Sequence, residues 1–495
     1  MKKYILEITV FLSGAVVMML ELTGSRILAP FVGTSTFIWT SLIGVILASL
    51  SLGYYHGGEM ADKDPSQKRL SQVLFLAGIS IGVVAILNQT VLAYLTSLFV
   101  SVKWSAATSA CVLFGVPAYL LGMVSPQAVR IRMKDIETSG ATIGRLYALS
   151  SLGSIVGTFL VGFYLMAWVG SRNILFILSA LTLVLSLLNR KNNDSILALV
   201  VFVVAPFVQS FGKNSLLKIT DTEYCAVQVI TGPYPDKNGR DCKVMKVGNE
   251  YSSGMYLDSD SLAFVYSRYY KMMFHFHRNP VNTLLIGGGA YSVPKYFQNA
   301  YPHMKMDVLE IDPELTQIAE EEFRLKPDER LIPIHEDGRI YLNHNTKKYD
   351  VIMGDAYRSL FSIPFHLVSK EAIARMSASL TDDGILMVNI LSPVSGPNRD
   401  LFQSMVKTCR EVFPEVKAFK PVVKAPTDRV QNIMLVCSKK KPGFIAASVS
   451  PEIRDMLAQE IDLRNVGVEE GIVLTDNFAP VEHYAEKMLS SYFRK

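Results

Sequence analysis

The sequence contains few cysteines and little charge, and both shortages restrict its function. Five cysteines occur in 495 residues: Cys111, Cys225, Cys242, Cys409 and Cys437. Their spacing forms neither a CxxC pair nor a metal-ligand cluster, which argues against a disulfide framework and predicts no metal site. Charged residues make up 19% of the chain, and the net charge is +5. The basic residues are scattered through short loops, which argues against a nucleic-acid-binding face.

Apolar residues dominate instead, and they are concentrated in one part of the chain. Half of all residues are hydrophobic, and the mean hydropathy is +0.27, which is high for a soluble protein. These residues crowd into positions 1–211, whereas the rest has an ordinary globular composition. The first apolar run follows Met1-Lys2-Lys3 and lacks a small-residue cleavage site, so we expect a retained helix rather than a cleaved signal peptide.

The apolar region contains up to seven segments that could cross a bilayer, because a spanning helix needs about 20 apolar residues. The candidates are residues 5–28, 36–56, 71–90, 106–126, 146–168, 171–189 and 194–211. Basic residues occur in every second connection, which predicts that those connections are cytoplasmic. They are Lys2, Lys3, Lys63, Lys68, Arg69, Arg130, Arg132, Lys134, Arg145, Arg190 and Lys191.

Two features inside the apolar region are predicted to shape the helical bundle. Glu21 and Arg26 lie in or near the first span, where charges are costly. They indicate either a polar site inside the bundle, or a structural ion pair or an arginine that reaches the interface. The small residues around Gly53, Gly57 and Gly58 predict close approach of a neighbouring helix.

The second half of the sequence is predicted to form two further domains. Residues 215–280 alternate polar and apolar in short runs between turn signals, which predicts a small β-rich domain. From 281 onward, buried strands alternate with helices, which predicts a parallel, doubly wound, Rossmann-like α/β sheet. The predicted fold is therefore a multi-pass α-helical membrane domain (1–211), a small β domain (212–280) and a Rossmann-like nucleotide-binding catalytic domain (281–495).

The predicted strand ends carry residues suited to an adenosyl nucleotide. Gly287, Gly288 and Gly289 follow the first strand, where glycines let the backbone approach a ligand. Glu310, about 20 residues on, ends the second strand and is predicted to accept the ribose hydroxyls. The acid and glycine after the third strand, Asp337 and Gly338, suit the adenine amino group. The alternative reading is that Glu310 and Asp337 cap helices.

The fourth strand ends at Asp355, at the mouth of the predicted site where a reacting group would lie. We interpret Asp355 as the catalytic base, with a turn residue as the alternative. Tyr266, Tyr357 and His366 are candidates to line the pocket, and packing is the alternative role for each.

These residues resemble a known family. Residues 215–440 are similar to the polyamine aminopropyltransferases, or spermidine synthases, which combine a small N-terminal β domain with a Rossmann-like, methyltransferase-type core. Together with the membrane half, the segments Asp355-Ala-Tyr, Ile363-Pro-Phe-His366-Leu and Leu474-Thr-Asp476-Asn-Phe-Ala-Pro480-Val-Glu482 resemble a bacterial membrane-fused branch of this family. The resemblance implies S-adenosylmethionine or its decarboxylated form as the nucleotide substrate, and a homodimer.

Departures from the family pattern predict a different acceptor. The family's Gly-Gly-Gly-Asp-Gly-Gly reads Gly287-Gly-Gly-Ala290-Tyr-Ser292 here, so the acid that would hold the aminopropyl amine is lost. The family's Asp-Ser-Ser/Thr-Asp reads Asp355-Ala-Tyr-Arg358, so a cation replaces the second acid, which binds the polyamine. A tyrosine expected near position 425 corresponds to Ala425. Arg358 would suit a carboxylate, which intact S-adenosylmethionine carries, although a solvated loop role is the alternative.

Several activities therefore remain open at this stage. We favour an enzyme that uses S-adenosylmethionine itself, by transfer to an unknown nucleophile or by intramolecular elimination that gives methylthioadenosine. The alternatives are a true polyamine aminopropyltransferase, a methyltransferase, and a non-catalytic nucleotide sensor that gates a transport-like bundle. Asp476 and Glu482 either fold back over the site or cap a helix.

The location of the catalytic domain depends on the number of spans. Six spans leave residue 190 in the cytoplasm, whereas a seventh full span carries the following domain outside. S-adenosylmethionine is a cytosolic metabolite, and residues 195–211 are short and contain Pro206. We therefore expect an inner-membrane protein with a cytoplasmic catalytic domain, with the bilayer and a small nucleotide as its partners.

Overall fold

The computed structural model describes most of the chain. The described residues exclude 1–3, 33–35, 100, 134–138, 191–195, 197, 201, 203–216, 223, 234–238, 249, 357–363, 441–449 and 493–495. The chain divides into two compact units. The first comprises Met1–Ser215 and Thr220–Ala226, and the second comprises Leu216–Ile219 and Val227–Lys495. The predicted boundaries at 211/212 and 280/281 stay predictions.

The first unit is helical. Its described helices are α1 (Ile5–Val32), α2 (Thr36–Lys63), α3 (Gln67–Leu98), α4 (Val102–Gly122), α5 (Val124–Arg132), α6 (Ser139–Leu160), α7 (Met166–Val169) and α8 (Ser171–Asn189). A π-helical segment, Val161–Leu165, joins α6 to α7. The predicted span 106–126 is interrupted at Met123, where α4 ends and α5 begins.

Within the described part of the chain, six helical segments are long and apolar enough to cross a membrane. They correspond to the first six predicted spans, and they indicate membrane association. The predicted seventh span, 194–211, falls mostly outside the described residues. Glu21 and Arg26 both lie in α1, where each is partly buried.

Glycine lets the helices of the first unit approach closely. Helix α1 packs against α6, α2 against α4, and α3 against α8. A Cβ atom at Gly53 would overlap the carbonyl oxygen of Tyr119, and one at Gly57 would lie 2.7 Å from Met123 Cα. The predicted close approach at Gly53 and Gly57 is therefore confirmed. Gly58, in contrast, has open space where a Cβ would lie.

The predicted β-rich segment contains one four-stranded sheet among its described residues, in the order β1-β2-β3-β4. The strands are β1 (Leu217–Asp221), β2 (Ala226–Pro233), β3 (Asp241–Val247) and β4 (Glu250–Tyr256). Strands β2, β3 and β4 are paired antiparallel. Because Val227 onward belongs to the same compact unit as the rest of the C-terminal half, a separate small domain stays a prediction.

The remainder of the second unit is built on a sheet with seven described strands, in the order β10-β11-β9-β8-β5-β6-β7. They are β5 (Asn282–Ile286), β6 (Lys305–Leu309), β7 (Leu331–Ile334), β8 (Tyr349–Gly354), β9 (Leu380–Ser392), β10 (Glu415–Phe419) and β11 (Gln431–Ser438). Strands β5 to β9 pair in parallel, which confirms the Rossmann-like core. Strand β11 is antiparallel to both β9 and β10.

Helices cover the sheet and bury it on both faces. They are α9 (Val265–Arg268), α10 (Met273–Phe276), α11 (Ser292–Ala300), α12 (Pro313–Glu322), α13 (Gly338–His344), α14 (Phe365–Val368), α15 (Lys370–Ser379), α16 (Asp400–Arg410), α17 (Pro451–Leu457) and α18 (Val481–Tyr492). Successive residues of β5 point to opposite faces, so Leu284 and Leu285 enter two different hydrophobic clusters. Burial on both faces explains why the central strands are continuous apolar runs.

Candidate active site

The glycine loop after β5 has a backbone that requires glycine. Gly287 has φ +102° and Gly289 has φ +53°, conformations that residues with a Cβ rarely adopt. A Cβ at Gly287 would also lie 2.6 Å from the carbonyl oxygen of Asp355. The N–H of Asp355 donates to the carbonyl oxygen of Ile286 at 2.9 Å. The loops after β5 and β8 are thus held against each other.

Glu310, immediately after β6, supports this loop. Its Oε2 accepts the N–H groups of Gly288 and Gly289 at 3.0 and 2.9 Å, and Oε1 accepts the N–H of Asp312 at 3.1 Å. Burial raises the pKa of Glu310, and these backbone donors oppose that rise. A carboxylate has about four lone-pair sites, so three accepted hydrogen bonds leave capacity for one hydroxyl donor. Glu310 can therefore accept one ribose hydroxyl rather than both, and the ribose contact stays a prediction.

Asp337 has a structural role at the start of α13. Its Oδ1 accepts the N–H groups of Arg339 and Ile340 at 2.9 and 3.1 Å, which is the helix cap given above as the alternative. The other oxygen, Oδ2, lies 3.6 Å from Nε2 of His366 and makes no contact with these backbone donors. Because Oδ1 caps the helix, Oδ2 is the carboxylate oxygen that remains to accept the adenine amino group predicted above. At the adjacent Gly338, a Cβ would lie 2.9 Å from Ile286.

Asp355 lies where β8 ends. Asn389 donates its side-chain N–H to Oδ1 of Asp355 at 2.9 Å, and the Tyr266 side chain also forms a hydrogen bond with this carboxylate. Burial of the carboxyl group raises the pKa of Asp355 to about 6, and the two hydrogen bonds act in the opposite direction. A carboxylate with this pKa can take a proton near neutral pH, as a general base must.

Buried contacts hold the two residues that follow the glycine triplet, Ala290 and Tyr291. Ala290 is buried, and its N–H donates to Oγ of Ser253 on β4 at 3.1 Å. Tyr291 has φ +56°, in the left-handed region. Its ring is fully buried, and its hydroxyl lies 2.7 Å from Oγ1 of Thr316. Packing and this hydrogen bond offset a backbone cost of about 1–3 kcal/mol.

The structure brings together most of the predicted site residues. Asp355, Tyr266 and the glycine loop form one group, and Glu310 and Asp337 lie at the ends of the neighbouring strands. Tyr357 and Arg358 lie outside the described residues. Asp476 pairs with the guanidinium of Arg339 at 2.6 Å and accepts the hydroxyl of Ser369 at 2.6 Å, so the C-terminal segment does reach the region around α13.

The sequence interpretation missed two residues at the site. Asn389 is a polar residue within the apolar strand β9, level with Asp355, because Gly354 pairs with Val388. An amide inside a buried strand is a signal for a polar partner. Ser253 gave no comparable signal, because it lies in an ordinary run of small residues on β4. Among the described residues, we find no group of three or more metal-ligating side chains placed to hold an ion.

The fold and the site define a class of protein. A mostly parallel sheet, a glycine loop after its first strand and acids after the next three strands are the features of a Rossmann-like domain of the methyltransferase type.

Comparison with known proteins narrows this class. A family model described as "Spermine/spermidine synthase domain" matches residues 264–445. The polyamine aminopropyltransferase of Vibrio vulnificus is 30% identical over 220 residues, which cover 41% of this chain and 70% of that protein. The chain belongs to the spermidine synthase-like family.

Relatives of lower identity include both aminopropyl transferases and methyltransferases. A probable polyamine aminopropyl transferase of Bifidobacterium longum is 28% identical, over 44% of each chain. The eEF1A lysine and N-terminal methyltransferase of Xenopus laevis is 26% identical over 38% of this chain and 27% of that protein. A solved structure of a probable spermidine synthase from Corynebacterium glutamicum aligns with a TM-score of 0.46 and 21% identity, over 54% of this chain and 98% of that one.

Proposed function

We propose that this chain is a membrane-associated transferase that uses an S-adenosylmethionine-type nucleotide and in which Asp355 is the general base. The observation that carries the proposal is the position of Asp355 beside the glycine loop, with a pKa of about 6. In the proposed complex, the nucleotide lies over Gly287–Gly289, a ribose hydroxyl donates to Glu310, and the adenine lies near Asp337 and Gly338.

The proposed chemistry is displacement at a carbon bonded to the positive sulfur. The acceptor's lone pair forms the new bond to carbon, the carbon–sulfur bond breaks, and its electron pair returns to sulfur. The carboxylate of Asp355, which Asn389 holds through Oδ1, takes the proton that the acceptor loses. The sulfonium is already a good leaving group, so the protein contributes mainly position and proton removal.

We further propose that the acceptor is not a polyamine. A polyamine site needs carboxylates to hold its ammonium groups. Buried Ala290 stands where the family motif has the acid that would hold the aminopropyl amine of the decarboxylated nucleotide, and its N–H is occupied by Ser253. The sequence also has Arg358 where the family has its second acid. Intact S-adenosylmethionine, with its carboxylate, is the proposed nucleotide.

A product assay tests these points. The full-length protein in detergent is incubated with S-adenosylmethionine or its decarboxylated form, with and without putrescine, and products are identified by mass spectrometry. Methylthioadenosine and a lactone formed from S-adenosylmethionine without added acceptor would show that the substrate's own carboxylate attacks the carbon. No proton is released in that displacement, so this result would contradict the role of Asp355 as base. Spermidine formed from the decarboxylated nucleotide and putrescine would overturn the arguments from Ala290 and Arg358.

Methyl transfer is the second candidate, because the Xenopus laevis methyltransferase is among the relatives. Its diagnostic product in the same assay is S-adenosylhomocysteine. A nucleotide-sensing transporter without catalysis would bind the nucleotide and release none of these products.

We propose that the catalytic half is cytoplasmic, in an inner-membrane homodimer. Cys242 is fully buried and unsuited to labelling, so a cysteine is placed at exposed Ser261 (Ser261→Cys). A membrane-impermeant maleimide is expected to label this variant in inverted vesicles and not in right-side-out vesicles. The reverse pattern would place the domain outside. Native mass spectrometry reports the oligomeric state.

A further inference from the structure

Two asparagines form a hydrogen-bonded chain that ends on the carboxylate of Asp355. Asn432 donates its side-chain N–H to the amide oxygen of Asn389 at 3.0 Å. Asn389 in turn donates to Oδ1 of Asp355 at 2.9 Å. Asn389 is 3% exposed, whereas Asn432 is only partly buried. The chain therefore runs from the edge of the interior to the proposed base.

The sheet register brings these three side chains together. Gly354 of β8 pairs with Val388 of β9, so the next residues, Asp355 and Asn389, lie side by side. Asn389 pairs with Met434 of β11, and Asn432 lies two residues from Met434. Side chains two apart on a strand point to the same face. Three adjacent strands thus each contribute one polar residue to a single face.

The donors and acceptors of the three side chains fix the direction of each hydrogen bond between them. An ionised carboxylate only accepts hydrogen bonds, so the amide nitrogen of Asn389 must face Asp355. The amide oxygen of Asn389 then faces away and needs a donor, which Asn432 supplies. Without Asn432, the amide oxygen of Asn389 loses its donor, and the orientation of the amide is held less strongly. A reversed amide would place its oxygen against the Asp355 carboxylate.

We propose that Asn389 and Asn432 are positioning residues that hold the Asp355 carboxylate in one orientation. Asn389 acts directly on Asp355, and Asn432 acts through Asn389. This inference rests on the proposed role of Asp355 as base, but its geometry can be tested without turnover.

The test measures the titration of Asp355 in the full-length protein. Aspartate labelled with carbon-13 at the carboxyl carbon is followed by NMR across pH, and the Asp355 signal is identified by its loss in Asp355→Asn. Asn389→Leu, which keeps the volume and removes the donor, is expected to raise the midpoint by about one unit. Asn432→Leu is expected to raise it by less, in the same direction.

The double variant is the sharpest measurement. If Asn432 acts only through Asn389, then Asn389→Leu combined with Asn432→Leu has the same midpoint as Asn389→Leu alone. Additive shifts, or unchanged midpoints in both single variants, would overturn the proposal. Asn432→Leu lies at a partly exposed position and provides the answer even where Asn389→Leu does not fold.

Matched controls separate this inference from the proposed function. Asn299 also donates to an aspartate, Asp260, at 3.0 Å on the surface, so Asn299→Leu should leave the Asp355 midpoint unchanged. In turnover, Asn389→Leu should lower kcat about tenfold and leave the KM for the nucleotide unchanged. If Asp355→Asn keeps full turnover, the base assignment fails, whereas the NMR midpoints still decide whether the asparagines position Asp355.

Discussion

The helical half, which is the first compact unit, and the half that carries the proposed nucleotide site, called the nucleotide half below, both depend on glycine. They do so for different physical reasons. In the bundle, Gly153 and Gly157 have helical backbones, and what matters is the missing side chain: a Cβ at Gly157 would lie 2.6 Å from the carbonyl oxygen of Ala15. In the nucleotide half, Gly287 also requires a positive φ. Glycine in the bundle serves packing, whereas glycine after β5 shapes the site.

Polar side chains also serve packing in the bundle and shape the site in the nucleotide half. In the described bundle, the buried serines Ser71, Ser179 and Ser186 donate to backbone carbonyls of a neighbouring helix, as Ser179 does to Gly78 at 2.7 Å. In the nucleotide half, polar side chains gather after successive strands and act on one another. Substitutions in the bundle should therefore lower stability, and substitutions at the strand ends should lower turnover.

The largest expected effect is that of Asp355→Asn. Loss of the base should lower turnover by about 10²–10⁴-fold, because that is the usual contribution of general base catalysis. Nucleotide affinity, measured by calorimetry, should change little. Asp382→Asn, at an exposed position, is the matched control and should behave like the wild type. Full activity in Asp355→Asn would show that Asp355 is not the base. Substitutions at this strand end would then not differ from those in the bundle by lowering turnover.

Gly287→Ala should lower turnover by about 10²-fold. The new Cβ would lie 2.6 Å from the Asp355 carbonyl oxygen, so the loop carrying the base must move, and small misplacements are costly in catalysis. The control is Gly354→Ala, where a Cβ would meet Val388 at an ordinary 3.5 Å. Equal activities in the two variants would show that the close approach is not required.

Gly153→Ala should destabilise the bundle by about 1–3 kcal/mol, because its Cβ would overlap the Phe11 carbonyl oxygen on α1. The three tryptophans, Trp39, Trp104 and Trp168, all belong to the helical half, so intrinsic fluorescence during thermal unfolding reports on that half. Gly144→Ala, on the same helix but facing open space, should be neutral or stabilising. A drop in unfolding temperature at both positions would argue against specific close packing.

The comparison also separates what the sequence predicts from what only the structure supplies. Buried runs that end in Gly287 or Glu310 could be recognised, because apolar strands and strand-end residues follow local patterns. The contact between Asn389 and Asn432 could not, since it depends on β11 inserting antiparallel between β9 and β10. Tyr291 also escaped prediction, because its left-handed backbone is held by a buried contact with Thr316 rather than by its residue type.

The smallest expected effect is the dependence of turnover on pH. Asp355 must be ionised to accept a proton, and burial raises its pKa to about 6. Acidification through this pKa protonates the base, so turnover should fall about tenfold between pH 7 and pH 5. Measured at saturating nucleotide, the profile should keep its midpoint in Gly153→Ala, whose packing defect lies in the bundle, and shift upward in Asn389→Leu. A profile that is flat down to pH 5 would mean that the titration of Asp355 does not limit the reaction. The two halves would then differ in nucleotide binding and not in a proton transfer made by Asp355.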